Sequence, residues 1–496
     1  MKQLSIPIEA QNIIERLEKH GFEAYVVGGC VRDLLLGIEP KDWDIATSAK
    51  PEEIQKIFPK NFYENRFFTV TILTESENPQ LSQIEATTYR TDEKYENARH
   101  PEEVSFAKTI EEDLARRDFT VNAMALRLKT QIKNKNDNQG IELIDPFGGE
   151  EDLKKRVLRA VGNPKTRFQE DALRMMRAVR LASQLGFSIE KGTKEAVQQL
   201  TQLTKEISQE RIRDEFSKII LSPGATEGVE LLQDLGLLQY IIPELQEGLG
   251  VAQNKHHKYT VWEHNLKSLE YAAKKGWSLE VRISALLHDI GKPRAKRGEG
   301  ENCTFYGHQV VGAKMARKLL ERMRFPQEVV KKVVLLVREH MFVYDPEAVT
   351  LKGVRRLLAR VGVEHIDDLF LVREADRIGS GVPKAQPYRL RHLKAMVEKV
   401  KQDPISPKMI SLNGTEVMEI LAIDPGPRVG AVLAILLEEV IEDPSQNTRD
   451  WLEKRAQELG KLTEKDLLKI AGEAKRAAQE AQDRIDQEIK SKYFVK

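Results

Sequence analysis

The sequence has almost no cysteine, almost no net charge and no long apolar run. Cys30 and Cys303 are the only cysteines among 496 residues, which excludes a disulfide framework and favours a reducing compartment, here the cytoplasm. Basic residues outnumber acidic ones by a single charge, so binding of a polyanion would require locally concentrated positive charge. Residues 384–401 are one basic stretch, although a solvated helix face would show the same pattern.

Apolar runs stay well short of the roughly 20 residues that a membrane helix needs, so we expect no membrane partner. The first 19 residues have the pattern of an amphipathic helix and not of a signal peptide.

The chain is too long for one core, and we predict four domains, at 1–149, 150–245, 246–403 and 404–496.

The apolar patterns predict an α+β fold. Segments rich in β-branched and aromatic residues at 24–29, 42–46, 67–74 and 82–89 are typical of strands, and the polar residues 128–140 of a hairpin tip. Beyond residue 150 the strand signals vanish and helical periodicity takes over. We therefore expect a small mixed or antiparallel sheet followed by all-helical domains.

Asp42 and Asp44 form the first candidate catalytic pair. Side chains two residues apart on a strand point to the same face. Two carboxylates so placed suit two divalent ions about 3.5–4 Å apart, which support in-line phosphoryl transfer. Such pairs of acids also arise by chance. The stronger evidence for a catalytic pair is its combination with the motif GGCVRD, which ends nine residues before Asp42. Glu85, in a strand-like segment, is the candidate third carboxylate, unless it is simply an outward-facing strand residue.

The motif GGCVRD supplies candidate nucleotide-binding residues. Gly28 and Gly29 let the backbone approach phosphates at the start of the following helix. Arg32 contributes a charge that deprotonation cannot remove, and Asp33 ends the motif.

A second nucleotide-binding candidate is RRDFTVNA, at residues 116–123. Its arginines, Arg117 among them, would clamp a triphosphate, while Asp118 or Asn122 would reach the ribose. Alternatively, these arginines simply form a solvent-exposed edge before an apolar helix.

In this order GGCVRD, DWD, RRDFTVNA and IDPFGG resemble the head domain of the class II nucleotidyltransferases, the family of CCA-adding enzymes and bacterial poly(A) polymerases. The resemblance implies a nucleotidyltransferase fold with a small, mostly antiparallel sheet. It also implies Mg²⁺ at the carboxylates, CTP and ATP as nucleotides, and tRNA as partner. The four predicted domains would then be a catalytic head, a helical neck, a metal-binding domain and a tRNA-binding tail.

The segment 167–187 points to base selection. Asp171, Arg174, Arg177 and Arg180 are spaced by three, so on one helix they would lie along a drifting face. An ionised Asp only accepts hydrogen bonds and an Arg only donates, so an Asp171–Arg174 pair would fit cytosine and adenine but meet guanine and uracil with mismatched polarity. EDxxR is also the family's templating motif, and a plain basic helix face is the alternative. The segment 208–222 resembles the neck motif that supports this helix, with Glu210 and Arg211 as structural residues.

Residues 89–106 resemble the flexible loop with which complete CCA-adding enzymes switch from C to A. This favours CCA addition over CC addition alone. A poly(A) polymerase, or an enzyme that adds only part of CCA, remains the alternative.

Between 262 and 379 an ordered set of histidines and aspartates resembles the HD metal-dependent phosphohydrolases. The set comprises His264, His288, Asp289, His308, His340 and Asp376. Neutral imidazoles with a bridging Asp suit a divalent transition metal, Mn²⁺, Ni²⁺ or Co²⁺, that activates water. The alternatives are a phosphohydrolase whose first half only binds RNA, and an HD fold kept as scaffold without metal activity.

Overall fold

The computed structural model describes residues 5–64, 68–96, 100–128, 140–253, 258–401 and 409–472. The chain divides into two compact units, Met1–Gln246 with Arg322–Phe325, and Glu247–Glu321 with Pro326–Lys496. None of the described helices is both long and apolar enough to cross a membrane. Both cysteines are free, buried thiols.

The first unit contains every strand of the described chain. The strands are β1 Ala24–Val27, β2 Asp44–Thr47, β3 Asn61–Glu64, β4 Thr69–Leu73, β5 Gln83–Thr88, β6 Arg90–Glu96, β7 His100–Phe106, β8 Ala125–Leu128, β9 Ile141–Ile144, β10 Val157–Leu158 and β11 Ser188–Ile189. Seven of them form one sheet in the order β3-β4-β5-β2-β1-β8-β9. Its pairs are antiparallel except β2 with β5, which is parallel.

Helices cover the sheet and then build the rest of the first unit. They are α1 Ile8–Lys19, α2 Gly29–Leu36, α3 Pro51–Ile57, α4 Ile110–Ala115, α5 Gly149–Lys155, α6 Pro164–Glu170, α7 Leu173–Leu185, α8 Lys191–Leu200, α9 Gln209–Leu221, α10 Ala225–Asp234, α11 Leu238–Ile241 and α12 Pro243–Gln246. Helix α1 shows why the amphipathic pattern was informative: it buries Ala10, Ile13, Ile14 and Leu17, spaced as one helical face.

The regular elements among the described residues of the second unit are helices, and Arg297 and Thr304 form an isolated bridge. Its helices are α13 Val261–Lys274, α14 Leu279–Leu287, α15 Lys292–Ala295, α16 His308–Arg322, α17 Gln327–Glu339, α18 Leu351–Val361, α19 Ile366–Gly379, α20 Tyr388–Val400, α21 Gly414–Leu421, α22 Pro427–Glu442 and α23 Arg449–Gly460. A separate apolar cluster, with Leu412, Val432 and Leu452 fully buried, holds the last three helices together. The predicted α+β class, a sheet-bearing head followed by helical segments, is confirmed.

Local details differ from the sequence-based expectation. Strand signals do not vanish after residue 150, since β10 and β11 form a short parallel pair. The segment 89–106, predicted as a loop, forms the antiparallel hairpin β6–β7, although residues 97–99 and the side chains of 92–105 lie outside the described part. The predicted hairpin tip at 128–140 falls mostly outside it too, while the flanking β8 and β9 are paired.

Candidate functional site

The turn after β1 brings Gly28 against Asp44 and Arg117. Gly28 has φ +82°, in the left-handed region that favours glycine. A Cβ on Gly28 would lie 2.9 Å from Arg117 Nη1 and 3.5 Å from Asp44 Oδ2. Glycine is therefore required here twice, for its backbone angle and for the space that lets the guanidinium approach the carboxylate. Gly29 begins the helix that follows.

Strand pairing places Asp44 beside Glu85. The parallel β2–β5 register aligns these two residues directly, so their side chains share one face of the sheet. Asp42 lies before β2 and is exposed, which corrects the expectation that both aspartates belong to the strand. Burial raises the pKa of Asp44, Arg117 opposes this shift, and the nearby charge of Asp42 adds to it. Asp44 and Glu85 thus lie side by side on the interior strands β2 and β5, and the charge of Asp42 acts on Asp44 from just before β2.

A hydrogen-bonded network joins the two nucleotide-binding motifs. Arg32 donates through Nε to Asp33 Oδ1 and through Nη1 to Asn122 Oδ1, each over 2.8 Å. Asn122 Nδ2 in turn donates to Asp118 Oδ1 over 3.5 Å. The motifs GGCVRD and RRDFTVNA, about 90 residues apart in the chain, therefore meet at one place.

The arginines that follow along α7 form ion pairs with buried acids. Arg177 Nε donates to Asp118 Oδ2 over 2.7 Å. Burial would raise the pKa of Asp118, but Arg177 and Arg174 outweigh it and hold that pKa below its usual value. Arg180 forms an ion pair with Glu215 of α9, with 3.0 Å between Nε and Oε2. Both arginines thus tie α7 to its surroundings, a structural use that the spacing alone did not reveal.

Asp171 and Arg174, predicted to act as a pair, contact different partners. Helix α6 ends at Glu170 and α7 begins at Leu173, so Asp171 lies in the break between two helices and not on one continuous face. Its Oδ1 accepts from the Leu173 backbone N–H, and its Oδ2 accepts from Arg211 over 2.7 Å. Arg174 donates to Glu170 Oε2 over 2.5 Å, and also to the backbone carbonyls of Arg167 and Arg116.

A second candidate site lies in the second unit, where helix ends converge. His264 lies on α13 and Asp376 on α19, His308 begins α16, and His288 and His340 follow the last residues of α14 and α17. Together with Asp289 they are all buried. The six predicted residues are therefore brought to one place in the core of this unit.

The six side chains form two groups that each suit one metal ion. His264, His288 and Asp376 form one, and Asp289, His308 and His340 form the other, with the ligand atoms of each within 4.8 Å of one another. Asp289 bridges them: its Oδ2 lies 3.1 Å from His264 Nε2, and its Oδ1 lies 3.2 Å from His308 Nε2. Within the described ranges no comparable group is found at Asp42, Asp44 and Glu85.

Backbone contacts orient three imidazoles of the cluster. Nδ1 of His288, His308 and His340 each lies 2.8–2.9 Å from a carbonyl oxygen of the preceding helical turn or loop. In the neutral ring, donation from Nδ1–H to that carbonyl leaves the Nε2 lone pair to face the cluster. The candidate metal groups agree with the divalent-metal dependence of HD domains.

The charges of this cluster depend strongly on one another. Burial would lower the pKa of His288, but Asp289 and Asp376 outweigh it and raise that pKa to about 10. Burial lowers the pKa of His340 to about 4. The pKa of Asp289 lies well below its usual value, because Lys292 and His288 outweigh burial.

Two residues at this site were not singled out from the sequence. Lys292 is buried, and its Nζ lies 2.6 Å from Asp289 Oδ2. Arg373 donates to Asp376 Oδ2 over 2.5 Å. The signal was available, since each lies three residues from a predicted metal ligand. Arg373 and Asp376 are neighbours on the surface of α19, and Lys292 begins α15 just after the turn that carries Asp289.

Close packing at Gly291 fixes the turn that carries His288 and Asp289. A Cβ on Gly291 would lie 2.3 Å from the carbonyl oxygen of His308 and 2.5 Å from the backbone nitrogen of Gly312. The turn therefore rests directly on the backbone of α16, which brings His308 to the bridging aspartate.

The chain matches three protein families. Residues 24–159 match the poly A polymerase head domain, residues 186–249 the probable RNA and SrmB-binding site of polymerase A, and residues 261–380 the HD domain. The two resemblances inferred from the sequence motifs are confirmed.

Similar proteins cover nearly the whole chain. The CCA-adding enzyme of Geobacillus thermodenitrificans is 34% identical over 459 residues, 90% of this chain and 97% of that protein. The A-adding tRNA nucleotidyltransferase of Deinococcus radiodurans is 36% identical over 348 residues, 68% of this chain and 76% of that protein. The crystal structure of the Bacillus stearothermophilus CCA-adding enzyme in complex with CTP shares 31% identity and a TM-score of 0.66, covering 92% of this chain and 98% of that one. The chain therefore belongs to the family of CCA-adding enzymes, which are tRNA nucleotidyltransferases.

Proposed function

We propose that this chain adds CCA to the 3′ end of tRNA without a nucleic-acid template, using CTP and ATP. The observation that carries the proposal is the in-register placement of Asp44 and Glu85 beside the glycine turn and Arg117. Adjacent carboxylates next to a turn open to phosphates suit nucleotidyl transfer. Because tRNA is the substrate, we place the activity in the cytoplasm.

In the head, we assign Asp42, Asp44 and Glu85 to holding two Mg²⁺ ions. Carboxylate oxygens are the ligands that Mg²⁺ prefers, and two such ions would supply activation of the primer hydroxyl and neutralisation of the pyrophosphate. Gly28 and Gly29 would admit the triphosphate. Arg32 and Arg117 would then bind its oxygens, with Asp33, Asp118 and Asn122 orienting those arginines or the ribose.

For base selection we propose Asp171 and Arg174, supported by Arg177, Arg180 and Arg211. Each oxygen of Asp171 keeps a further lone pair for a base amine, since a carboxylate oxygen accepts more than one hydrogen bond. Arg211 would hold the carboxylate in place while Arg174 donates to the ring nitrogen of C or A.

For the second unit we propose phosphohydrolysis at RNA ends, on 2′,3′-cyclic phosphates or phosphomonoesters. His264, His288 and Asp376 would hold one ion and Asp289, His308 and His340 the other, with Mn²⁺, Ni²⁺ or Co²⁺ preferred by the imidazole-rich set. Bound there, such a metal lowers the pKa of a water ligand. We also propose that residues 404–496 bind tRNA, and that the four domains have the predicted bounds.

The test is extension of tRNA lacking its 3′ end, with CTP alone, ATP alone or both, read by product length. CCA addition gives two added residues with CTP and three with both nucleotides. If the chain adds only a single A, and only to tRNA that already ends in CC, the A-adding alternative would be favoured. The A-adding relative in Deinococcus radiodurans is the reason to test for this outcome. A long A tail would identify a poly(A) polymerase.

A further inference from the structure

A cationic cluster adjoins Asp376 of the histidine site. Arg373 Nη1 donates to Asp376 Oδ2 over 2.5 Å, and its Nη2 donates to the Tyr344 hydroxyl over 3.3 Å. Arg377 Nη1 donates to the same hydroxyl over 3.0 Å. Tyr344 thus holds two guanidinium groups side by side, and we call Tyr344, Arg373 and Arg377 the Tyr344 cluster.

This cluster lies on the outer side of the metal-ligand carboxylate. Asp376 Oδ1 faces His264 and His288, with Nε2 atoms at 3.3 and 3.7 Å, whereas Oδ2 faces Arg373. A group bound by the Tyr344 cluster would therefore be separated from the metal ligands by Asp376. It would not be the phosphate that is attacked at the metals.

Arg377 differs from its basic neighbours because its charge is not matched. Its hydrogen-bond partners are neutral: the Tyr344 hydroxyl, and the Lys384 carbonyl, which accepts from Nε over 3.3 Å. Among the residues that the structure describes, it forms no ion pair with a carboxylate. By contrast, Arg389 and Lys394 of the basic stretch form ion pairs, with Asp345 and Glu374 respectively.

Two further observations indicate a positive potential that an anion would match. Arg373 Nε is buried and has no hydrogen-bond partner among the described residues. Burial would raise the pKa of Tyr344, but Arg373 and Arg377 outweigh it and hold that pKa below its ordinary value. Arginine is well suited to phosphate, because its planar fork of N–H donors matches the phosphate oxygens.

We propose that the Tyr344 cluster binds a second phosphate of the substrate, on the 5′ side of the nucleotide whose 2′- or 3′-phosphate is hydrolysed, with Arg377 as the contact residue. In an RNA end this is the next anion along the chain from the terminal phosphate. The inference rests on the proposed phosphohydrolase activity and deepens it. The site would prefer the end of an RNA chain to a nucleoside cyclic phosphate without a 5′-phosphate.

The test uses the full chain loaded with Mn²⁺ and compares adenosine 2′,3′-cyclic phosphate with and without a 5′-phosphate. Arg377→Gln should lower kcat/KM about tenfold to a hundredfold for the 5′-phosphorylated substrate, mainly through KM, which is the range for one charge-assisted hydrogen bond. The substrate without the 5′-phosphate should change less than about twofold. Arg377→Lys should restore part of the difference, and Lys384→Gln, an exposed residue of the same segment, should change neither substrate.

Equal losses for both substrates would show that Arg377 only supports the fold, and no loss for either would show that no phosphate binds there. Both results overturn the inference. If the unaltered chain hydrolyses neither substrate, the proposed phosphohydrolase activity fails separately. Equilibrium binding of adenosine 3′,5′-bisphosphate and adenosine 3′-phosphate then decides the cluster. Arg377→Gln should weaken only the bisphosphate, and equal affinities in both proteins would refute the inference.

Discussion

Arg211 Nη2 lies 2.7 Å from Asp171 Oδ2, so the aspartate of the EDxxR motif is held by helix α9 and not by Arg174. The Asp171 side chain is therefore oriented by a residue that lies 40 positions away in the sequence. The backbone N–H of Leu173 restrains the other oxygen. Arg211, which the sequence suggested as structural, would therefore act as a positioning residue if Asp171 selects the base as proposed.

We expect Asp171→Ala and Arg174→Ala to relax the choice of base more than they weaken triphosphate binding. The reason is that these side chains would read the base edge, where a mismatch of polarity can be worth about 10⁴-fold. The measurement is incorporation of C, A, G and U under matched conditions. Unchanged selectivity in both variants would contradict the assignment.

Arg211→Gln should reduce selectivity in the same direction but less, because Asp171 keeps its backbone contact with Leu173. The loss should be about tenfold, near the value of one charge-assisted hydrogen bond. Arg213→Gln is the matched control, since Arg213 lies on the same helix and pairs with the adjacent Asp214. Equal effects in the two variants would mean that α9 acts only through stability.

Asp44→Asn should lower nucleotide addition by at least about a hundredfold, because the proposed Mg²⁺ that neutralises charge in the transition state loses a carboxylate ligand. Binding of tRNA and the thermal unfolding midpoint should stay near those of the unaltered chain. Glu39→Gln, an exposed acid five residues earlier, serves as control and should retain full activity. Near-normal incorporation by Asp44→Asn would overturn the active-site assignment.

Arg180→Met should destabilise the first unit by about 3 kcal/mol, because it leaves the buried Glu215 without its arginine partner. Lys218 lies 3.6 Å from the other oxygen of Glu215 and should limit the loss. The measurement is denaturant unfolding. The double variant Arg180→Met with Glu215→Leu should recover part of the stability lost in Arg180→Met. If its loss of unfolding free energy equals the sum of the losses in Arg180→Met and Glu215→Leu alone, the pairing is contradicted.

His288→Ala combined with Asp289→Ala should remove metal-stimulated phosphohydrolysis and leave nucleotide addition nearly unchanged. The two candidate sites share no residue and belong to different compact units. Titration of both activities with Mn²⁺, Ni²⁺, Co²⁺ and Mg²⁺ would separate them further. Hydrolysis that survived the double substitution, or that disappeared in Asp44→Asn instead, would show that the histidine cluster is a scaffold.

Gly291→Ala should disturb the histidine site without any change of charge. The new methyl group would meet the His308 carbonyl, so the turn must shift, at a cost of about 1–3 kcal/mol. We expect weaker Mn²⁺ binding by calorimetry and a lower unfolding midpoint. Gly298→Ala is not a clean control because of its positive φ. Gly430→Ala, in helix α22 with nothing within 4 Å, should leave Mn²⁺ binding unchanged and keep or raise the unfolding midpoint.

Much of this protein was readable from local sequence. The face of α1 follows from apolar spacing, and the histidine set follows from residue types in a fixed order, because ligand chemistry is carried by the side chains themselves. The glycines of GGCVRD indicated a phosphate-binding turn, and Gly28 indeed adopts the backbone angle that favours glycine. These features depend on few neighbours, so a single chain reveals them.

Partner choice was decided only by the tertiary structure. Spacing by three suggested that Asp171 and Arg174 would meet, but the break between α6 and α7 turns the aspartate towards Arg211. Likewise, only strand register places Glu85 beside Asp44, since the parallel β2–β5 pairing joins residues 41 positions apart. A charged side chain has several opposite charges within reach in sequence. Which of them it meets depends on long-range packing, and a one-residue change in register or a break in a helix moves it to another face.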